Sequence, residues 1–177
     1  MNLGGLLVLT AFLAALASTL GYAPALRGRN PVAGGILFTV HAAALLGAVA
    51  TLWYLFVTHR FEYSYVAQYS SRALSPQLAL AASWAGQEGS FLLWATLGGL
   101  LGLALMRQPG NLARPAMFFV ALMQCFLLFM VVVRTPFATN AVAPADGMGL
   151  NPLLEDPWMV VHPPALFLGY ASMAIPF

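Results

Sequence analysis

The sequence predicts an all-α, polytopic helical membrane protein with four full transmembrane helices and a truncated fifth. Of its 177 residues, 61% are hydrophobic and only 7% are charged, whereas ordinary soluble domains carry about 25% charged residues. The apolar residues are concentrated in runs that Pro, Gly and Arg separate. At 1.5 Å per residue, these runs are long enough to cross a hydrocarbon core of about 30 Å. The composition and the apolar runs therefore predict a membrane-embedded chain.

Each span has a recognisable start or end. The spans are expected at about 2–22, 32–57, 87–106, 115–133 and, truncated, 164–177. Pro24 ends the first, and Trp53 and Tyr54 lie near the end of the second, as interface aromatics do. A GxxxG pattern, Gly98 to Gly102, indicates close helix packing in the third. Pro115 begins the fourth, where its missing N–H costs nothing.

Two long segments, 58–83 and 134–162, are predicted to be external loops because they are too polar to span. Within the first, Ser75 is a helix-capping residue for a short surface helix over 76–83. The first apolar run has no basic residues before it, which argues against a cleaved signal peptide. The last run stops at Phe177, so we expect residues 1–177 to be the N-terminal part of a larger or split membrane domain.

The arginines predict the orientation. The loops after spans one and three are purely basic, whereas those after spans two and four also carry four acids. The basic residues of the first two loops are Arg27, Arg29, Arg107 and Arg114. Since cytoplasmic loops carry an excess of Lys and Arg, we predict an external N-terminus, with both long loops on the external side.

The composition excludes several classes of protein. A net charge of +2 without any lysine indicates no nucleic-acid surface. The single cysteine, Cys125, lies in an apolar run, so there is no disulfide framework. The sequence lacks a Cys-x-x-Cys-His motif and cannot attach a c-type heme to itself. It also contains no phosphate-binding loop, nucleophile elbow or zinc-ligand spacing, so no self-contained enzyme site is predicted.

The most unusual stretch is 151–177, NPLLEDPWMVVHPPALFLGYASMAIPF. Each proline disfavours the helical conformation in the residue before it, so His162 and Pro163 are predicted to be extended. Pro164 would then be the first helical residue. An imidazole held at a membrane surface by this rigid Pro-Pro pair is a candidate ligand. A histidine that simply caps the helix is the alternative, and both remain open at this point.

A second unusual stretch, Trp84 to Trp94, reads WAGQEGSFLLW. Glu88 falls in the first helical turn, where the helix dipole favours an anion. A carboxylate at that depth is costly unless it is paired, so it marks a site or a buried hydrogen bond. Trp84 and Glu88 are four residues apart and are predicted to share a helix face. The alternative is a capping glutamate flanked by interface tryptophans.

The other two histidines, His41 and His59, are weaker candidates for functional residues. His41 lies mid-membrane, where an ionisable group indicates a relay or a cofactor ligand. A neutral histidine hydrogen-bonded to a neighbouring helix is the interpretation we favour. His59 follows the second span beside Arg60 and is expected to be solvated.

Taken together, the two unusual stretches resemble the cytochrome c maturation heme-lyase family (the CcmF/NrfE type, related to the CcsA-type heme-handling proteins). The stretch from Trp84 to Trp94 resembles the family segment WGxxEGSLLLW, and residues 151–170 resemble NPLLQDPxxxxHPPLLYxGY. The resemblance runs from about Phe61 to Phe177 and, more loosely, to the N-terminus. The sequence departs from the family segments at four positions, Ala85, Gln87, Glu155 and Phe167. The departures are mild and none removes a ligand, although Glu155 adds a charge near the site.

The resemblance implies a function in cytochrome c-type biogenesis. Such proteins lie in the bacterial inner membrane, or in an organelle membrane in eukaryotes. They receive heme from a heme chaperone and help attach it to apocytochrome c, with a partner subunit that handles the apoprotein and its thiols. The family histidine of HPP, a ligand of b-type heme iron, corresponds to His162 on the periplasmic side. Trp84, Glu88 and Trp158 would shape the site.

The resemblance also implies what this chain lacks. The tryptophan-rich heme platform, the second external histidine and the intramembrane heme ligands belong to later parts of such proteins. Activity as a heme lyase would therefore require the missing C-terminal part. A fragment of a polytopic transporter or a proton-conducting subunit, which would use Glu88 and His41 as intramembrane polar groups, is the alternative.

Overall fold

The computed structural model describes residues 2–108 and 112–174, apart from the side chain of Val32, and this part of the chain is entirely helical with connecting loops. The helices, in chain order, are α1 (Leu3–Tyr22), α2 (Val32–Val57), α3 (Ser64–Tyr69), α4 (Pro76–Ala82), α5 (Gln87–Leu105), α6 (Ala113–Val133) and α7 (Pro157–Ser172). Short 3-10 turns occupy Ala23–Arg27 and Pro152–Glu155. Helices α1, α2, α5 and α6 are long and apolar enough to cross a membrane. The four predicted complete spans are therefore confirmed.

These four helices pack as a closed bundle in which α1 contacts α2 and α6, and α5 contacts the same two helices from the other side. Small residues let the backbones approach closely. A Cβ on Gly21 would lie 2.8 Å from the backbone of Gly34 in the neighbouring helix. A Cβ on Gly98 would lie 2.6 Å from the Gln124 amide, and one on Gly102 would meet Phe38. The predicted packing role of the GxxxG pattern is confirmed.

One end of the bundle is covered by a loop layer, which consists of residues 58–86 and 134–156. Backbone bonds join its two halves, including Ser64 N–H to Ala138 O at 2.9 Å and Met148 N–H to Ala67 O at 2.7 Å. The Asn2 side chain also donates to Phe137 O at 2.7 Å. The N-terminus and both long loops therefore lie at the same end of the bundle, as their common side in the predicted topology requires.

Local hydrogen bonds support the loop layer. Ser75 caps α4 by accepting from Leu78 N at 3.4 Å, which confirms the predicted surface helix. The Asp146 carboxylate accepts the backbone N–H groups of Arg72 and Gly147, and these bonds lower the pKa of Asp146. Helix α3 was not predicted, because its six residues are ordered by contacts with distant parts of the chain.

The start of the fifth helix was predicted wrongly. Helix α7 begins at Pro157, not at about Pro164, so His162 and Pro163 are helical and not extended. The Asp156 side chain caps the helix by accepting from Trp158 N at 2.9 Å, and Pro157 occupies its first turn. This start signal outweighs the local restriction that the later prolines impose. The last three residues of the predicted fifth span, 175–177, lie outside the described residues.

Candidate functional site

Helix α7 lies on the outside of the bundle and packs against α5 along one face. Trp94 of α5 stacks with Phe167, their ring centroids 6.0 Å apart, and contacts Tyr170 at 5.5 Å. Ala171 is the one buried residue of α7. Near its start, Met159 and Pro163 line a small cavity against the α4–α5 turn. These contacts fix the orientation of the helix.

His162 lies on the opposite, exposed face of α7. Trp158, one turn earlier on the same face, is 80% exposed. Ala165 and Gly169 follow at helical spacing, and a Cβ added to Gly169 would meet nothing within 4 Å. The imidazole has no hydrogen bond to any described residue. It is therefore open to a ligand from outside the bundle.

Two prolines interrupt the hydrogen bonding of α7. Pro163 and Pro164 lie in the helix interior and have no N–H. The carbonyls of Met159 and Val160, four residues earlier, therefore lack their usual helical donors. The proline pair follows His162 directly, so the backbone at the histidine is held by the first turn of the helix and by packing on α5.

Trp84 supports the start of α7 from the side away from His162. It belongs to the turn between α4 and α5 and is half-buried. With Met159, Val160 and Pro163, it lines a cavity of about 50 Å³. The predicted pairing of Trp84 and Glu88 on one helix face is wrong. Gly86 caps α5 and the helix begins at Gln87, so Trp84 precedes it and helical spacing does not apply.

Two tyrosines of α3 hold this turn in place, and they were not predicted as functional residues. The Tyr65 hydroxyl accepts the Gly86 N–H at 3.0 Å and donates to Ser83 O at 3.2 Å. A Cβ on Gly86 would lie 2.6 Å from the Tyr69 ring. Burial raises the pKa of Tyr65. The aromatic spacing in FEYSYVAQY was the available signal, but nothing local linked it to the glycines.

Glu88 occupies the first turn of α5, as predicted, and is half-buried. Together with Gln68 and Arg134 of the loop layer, it lines a cavity of about 210 Å³. The sequence predicted an ion-pair partner or a buried hydrogen bond for this carboxylate. Neither is found among the described residues, because the first turn of α5 directs the carboxylate towards α3 and the end of α6.

The two remaining histidines differ from each other. His41 is fully buried, and its Nδ1 bonds the Ala11 carbonyl of α1 at 2.9 Å, as the favoured interpretation predicted. Its Nε2 has no partner among the described residues. His59 is half-buried against Phe61 and not simply solvated, because its positive φ of 52° turns the chain back over the end of α2. Among the described residues, no group of three or more His, Cys, Asp or Glu could hold a metal ion.

These features define a polytopic helical membrane protein that presents one histidine on an exposed helix face, beside a loop layer at one end of its bundle. Residues 84–177 match the sequence profile of the family described as Cytochrome C assembly protein. The chain belongs to this family and is of the CcmF/NrfE type, as its resemblance implied.

Relatives in curated collections support the assignment. The cytochrome c-type biogenesis protein CcmF of Pseudomonas fluorescens is 39% identical over 141 residues, which are 76% of this chain and 21% of the relative. The cytochrome c-type biogenesis protein NrfE of Haemophilus influenzae is 32% identical, over 80% of this chain and 22% of the relative. The chain thus spans about a fifth of the length of the curated relatives it matches.

A solved structure titled Cytochrome c Heme Lyase CcmF has the same fold. It superposes on 98% of this chain and 28% of its own length, with a TM-score of 0.80 and 26% sequence identity. The described helices therefore correspond to one part of a larger membrane protein in that structure.

Proposed function

We propose that this chain is the N-terminal portion of a heme-handling membrane domain, and that His162 contributes one axial ligand to heme iron while heme is attached to apocytochrome c. The observation that carries the proposal is the exposed imidazole on the face of α7 turned away from α5. A neutral imidazole is a standard axial ligand of heme iron. Relatives named for cytochrome c-type biogenesis support the same conclusion.

The residues around His162 fit one side of a heme. Trp158 offers an aromatic surface one turn before the histidine, and Ala165 and Gly169 leave open space after it. When bound, heme supplies the iron and the vinyl groups that react with cysteine thiols. This chain holds the imidazole in place through α7, which Trp84 and Trp94 anchor on the opposite face.

One histidine is only half of a bis-histidine site. His41 is buried within the bundle and the His59 ring packs against Phe61 in the loop layer, so we expect the second ligand to come from another part of the protein. We therefore expect these 177 residues alone to retain little heme. The completed protein, or this chain with its complementary part, would retain b-type heme through His162.

The cellular setting is also proposed from the family. We place the chain in the bacterial inner membrane, with its N-terminus and His162 on the periplasmic side, where a secreted apocytochrome can reach the iron. The purely basic end with Arg27, Arg29, Arg107 and Arg114 would face the cytoplasm. The proposed partners are a heme chaperone, apocytochrome c with its thiol-handling subunit, and the missing C-terminal part.

Trp84, Trp158 and Glu88 have supporting roles in this proposal. Trp158 shares the exposed face of α7 with His162, and Trp84 packs against the start of α7 on the opposite face. Glu88 acts at a greater distance, because its charge reaches Tyr65 and Tyr69, which support the turn that contains Trp84. A proton-conducting function would need a polar connection between His41 and Glu88, and these two residues share no contact among the described residues.

The decisive experiment changes His162 in the complete maturation system. His162→Ala should abolish or strongly impair cytochrome c maturation and lower the heme absorbance of the purified complex. Added imidazole should partly restore both by filling the vacant coordination position. Val161→Ala, at the adjacent exposed residue, is the matched control and should behave as wild type. Full maturation by His162→Ala without imidazole would remove the ligand assignment.

A further inference from the structure

A groove and a cavity meet at the loop-layer end of α6. The groove, of about 290 Å³, lies between α1 and the end of α6 and is open to the surroundings. Its walls include Val8, Leu9 and Val132. The cavity, of about 210 Å³, is the one that Glu88 and Arg134 line. Thr135 and Ala138 line both spaces, so the two are adjacent.

The two spaces differ in chemistry. The groove is apolar along α1 from Gly5 to Leu9, a run of helix about 6 Å long at 1.5 Å per residue. The residues that line the cavity instead include the half-buried Glu88 and the exposed Arg134. Gln68 and Ser64 also line it, and the Ser64 hydroxyl donates to Ala138 O at 3.0 Å. Its volume is far above the ~15 Å³ that a single water needs. The groove thus has an apolar wall along α1, while Asn2, Thr135 and Thr139 are among its other lining residues. The adjacent polar cavity, called the chamber below, is open to the surroundings as the groove is and is lined by residues of both signs of charge.

The charges in the chamber are not used within the described part of the chain. Glu88 and Arg134 form no ion pair with each other there, and neither side chain has a hydrogen-bond partner. An anionic group beside Arg134 and a cationic group beside Glu88 would complement both. A carboxylate inside a transmembrane segment is costly unless it is paired.

We propose that the groove and cavity together bind one phospholipid of the adjoining leaflet, with a zwitterionic phosphoethanolamine headgroup in the chamber and an acyl chain in the groove. The phosphate lies beside Arg134 and the ammonium beside Glu88. Helix-lined grooves gain little by exchanging one apolar neighbour for another, since lipid tails are as apolar as leucine. Selectivity therefore resides in the headgroup chamber. The proposal is independent of heme binding by His162.

The test measures which lipids remain bound to the purified chain. The chain is purified from mixed micelles that contain equal amounts of phosphatidylethanolamine and phosphatidylglycerol, and retained lipids are counted by native mass spectrometry. Wild type should enrich phosphatidylethanolamine about fivefold, the equivalent of ~1 kcal/mol for an exposed ion pair. Glu88→Gln should abolish this preference, whereas Glu88→Asp should keep most of it. Arg134→Gln should lower the retention of both lipids.

Matched controls lie outside the site. Glu155→Gln removes an exposed carboxylate, and Arg114→Gln removes an arginine from the opposite end of the bundle. Gly5→Leu fills the groove and should reduce the retention of both lipids, whereas Thr10→Leu, on the same helix but not lining the groove, should not. Circular dichroism verifies that each variant keeps the wild-type helix content. If Glu88→Gln does not fold, Glu88→Asp still tests the role of the carboxylate.

Three results would overturn the proposal. One is equal retention of both lipids by wild type. Another is an unchanged preference in Glu88→Gln with wild-type helix content. The third is displacement of the lipid by soluble phosphoethanolamine at an equal concentration, which would show that the acyl chain and the groove contribute nothing.

Discussion

Gly89, in the first turn of α5, is a position that tolerates no side chain. A Cβ there would meet the Ser83 carbonyl and would lie 2.6 Å from the Tyr65 hydroxyl. The same hydroxyl holds the turn through Gly86 and Ser83, so one added methyl group would disturb all of these contacts. Close approach at this glycine links α3 to the start of a transmembrane helix.

Gly89→Ala should therefore destabilise the folded protein by roughly 1–3 kcal/mol, the usual range for a steric conflict in a packed site. Gly169→Ala is the control, because its Cβ would meet nothing and alanine favours the helix by up to ~1 kcal/mol. Thermal unfolding in a mild detergent measures both. Equal stability of the two variants would contradict the packing at Gly89.

The charge of Glu88 should be detectable through Tyr69. Burial raises the pKa of the Tyr69 phenol, and the Glu88 carboxylate raises it further because it disfavours a second negative charge nearby. Glu88→Gln should therefore lower the pKa of Tyr69. Ultraviolet difference titration of the variant, with Tyr69→Phe to identify the signal, measures this shift. Glu155→Gln should leave the signal unchanged, and a pKa that rises in Glu88→Gln would refute the proximity.

At the scale of a single element, α7 combines a strong start with a weak interior. Asp156 and Pro157 begin the helix, while Pro163 and Pro164 remove donors from its second turn. Sequence reasoning identified the rigidity of the proline pair but assigned it to the approach before the helix. The missed signal was the Asp-Pro pair seven residues earlier, whose capping effect becomes decisive once Met159 and Pro163 pack on the α4–α5 turn.

Pro164→Ala should strengthen α7, since it restores an N–H for the Val160 carbonyl and removes an interior proline, which costs ~3 kcal/mol in a helix. Hydrogen exchange should slow for the amides of α7. Pro157→Ala is the matched control, because a proline at the first helical position lacks only a donor that has no partner there. Unchanged exchange in Pro164→Ala together with slower exchange in Pro157→Ala would reverse this assignment.

At the scale of the whole molecule, the sequence predicted what hydropathy determines. Runs of sufficient length located four spans, and a small-residue pattern located close packing between helices. The loop layer could not be predicted from the sequence, because the hydrogen bonds that form it join residues far apart in the chain. Arg72 N–H, for example, meets the Asp146 carboxylate across 74 positions. Glu88 shows the same limit, since its cavity includes Arg134, which no local pattern connects to it.

The side of the membrane on which each end of the bundle lies remains a prediction from the arginines, and cysteine labelling tests it. The loop layer gathers the N-terminus, both long loops and the start of α7 at one end, so a single labelling result fixes the side of His162 as well. Val142, which is 83% exposed in the loop layer, is one position for a cysteine. Gln108, which is exposed after α5 at the arginine-rich end, is the other.

In intact cells or spheroplasts, Val142→Cys should react with a membrane-impermeant thiol reagent, and Gln108→Cys should react only after the membrane is permeabilised. The native Cys125 is buried between helices and should contribute little background. A protein denatured before labelling controls for cysteine content. The opposite pattern would place His162 in the cytoplasm, where a secreted apocytochrome could not reach it, and the proposed heme-ligand function would fail with the topology.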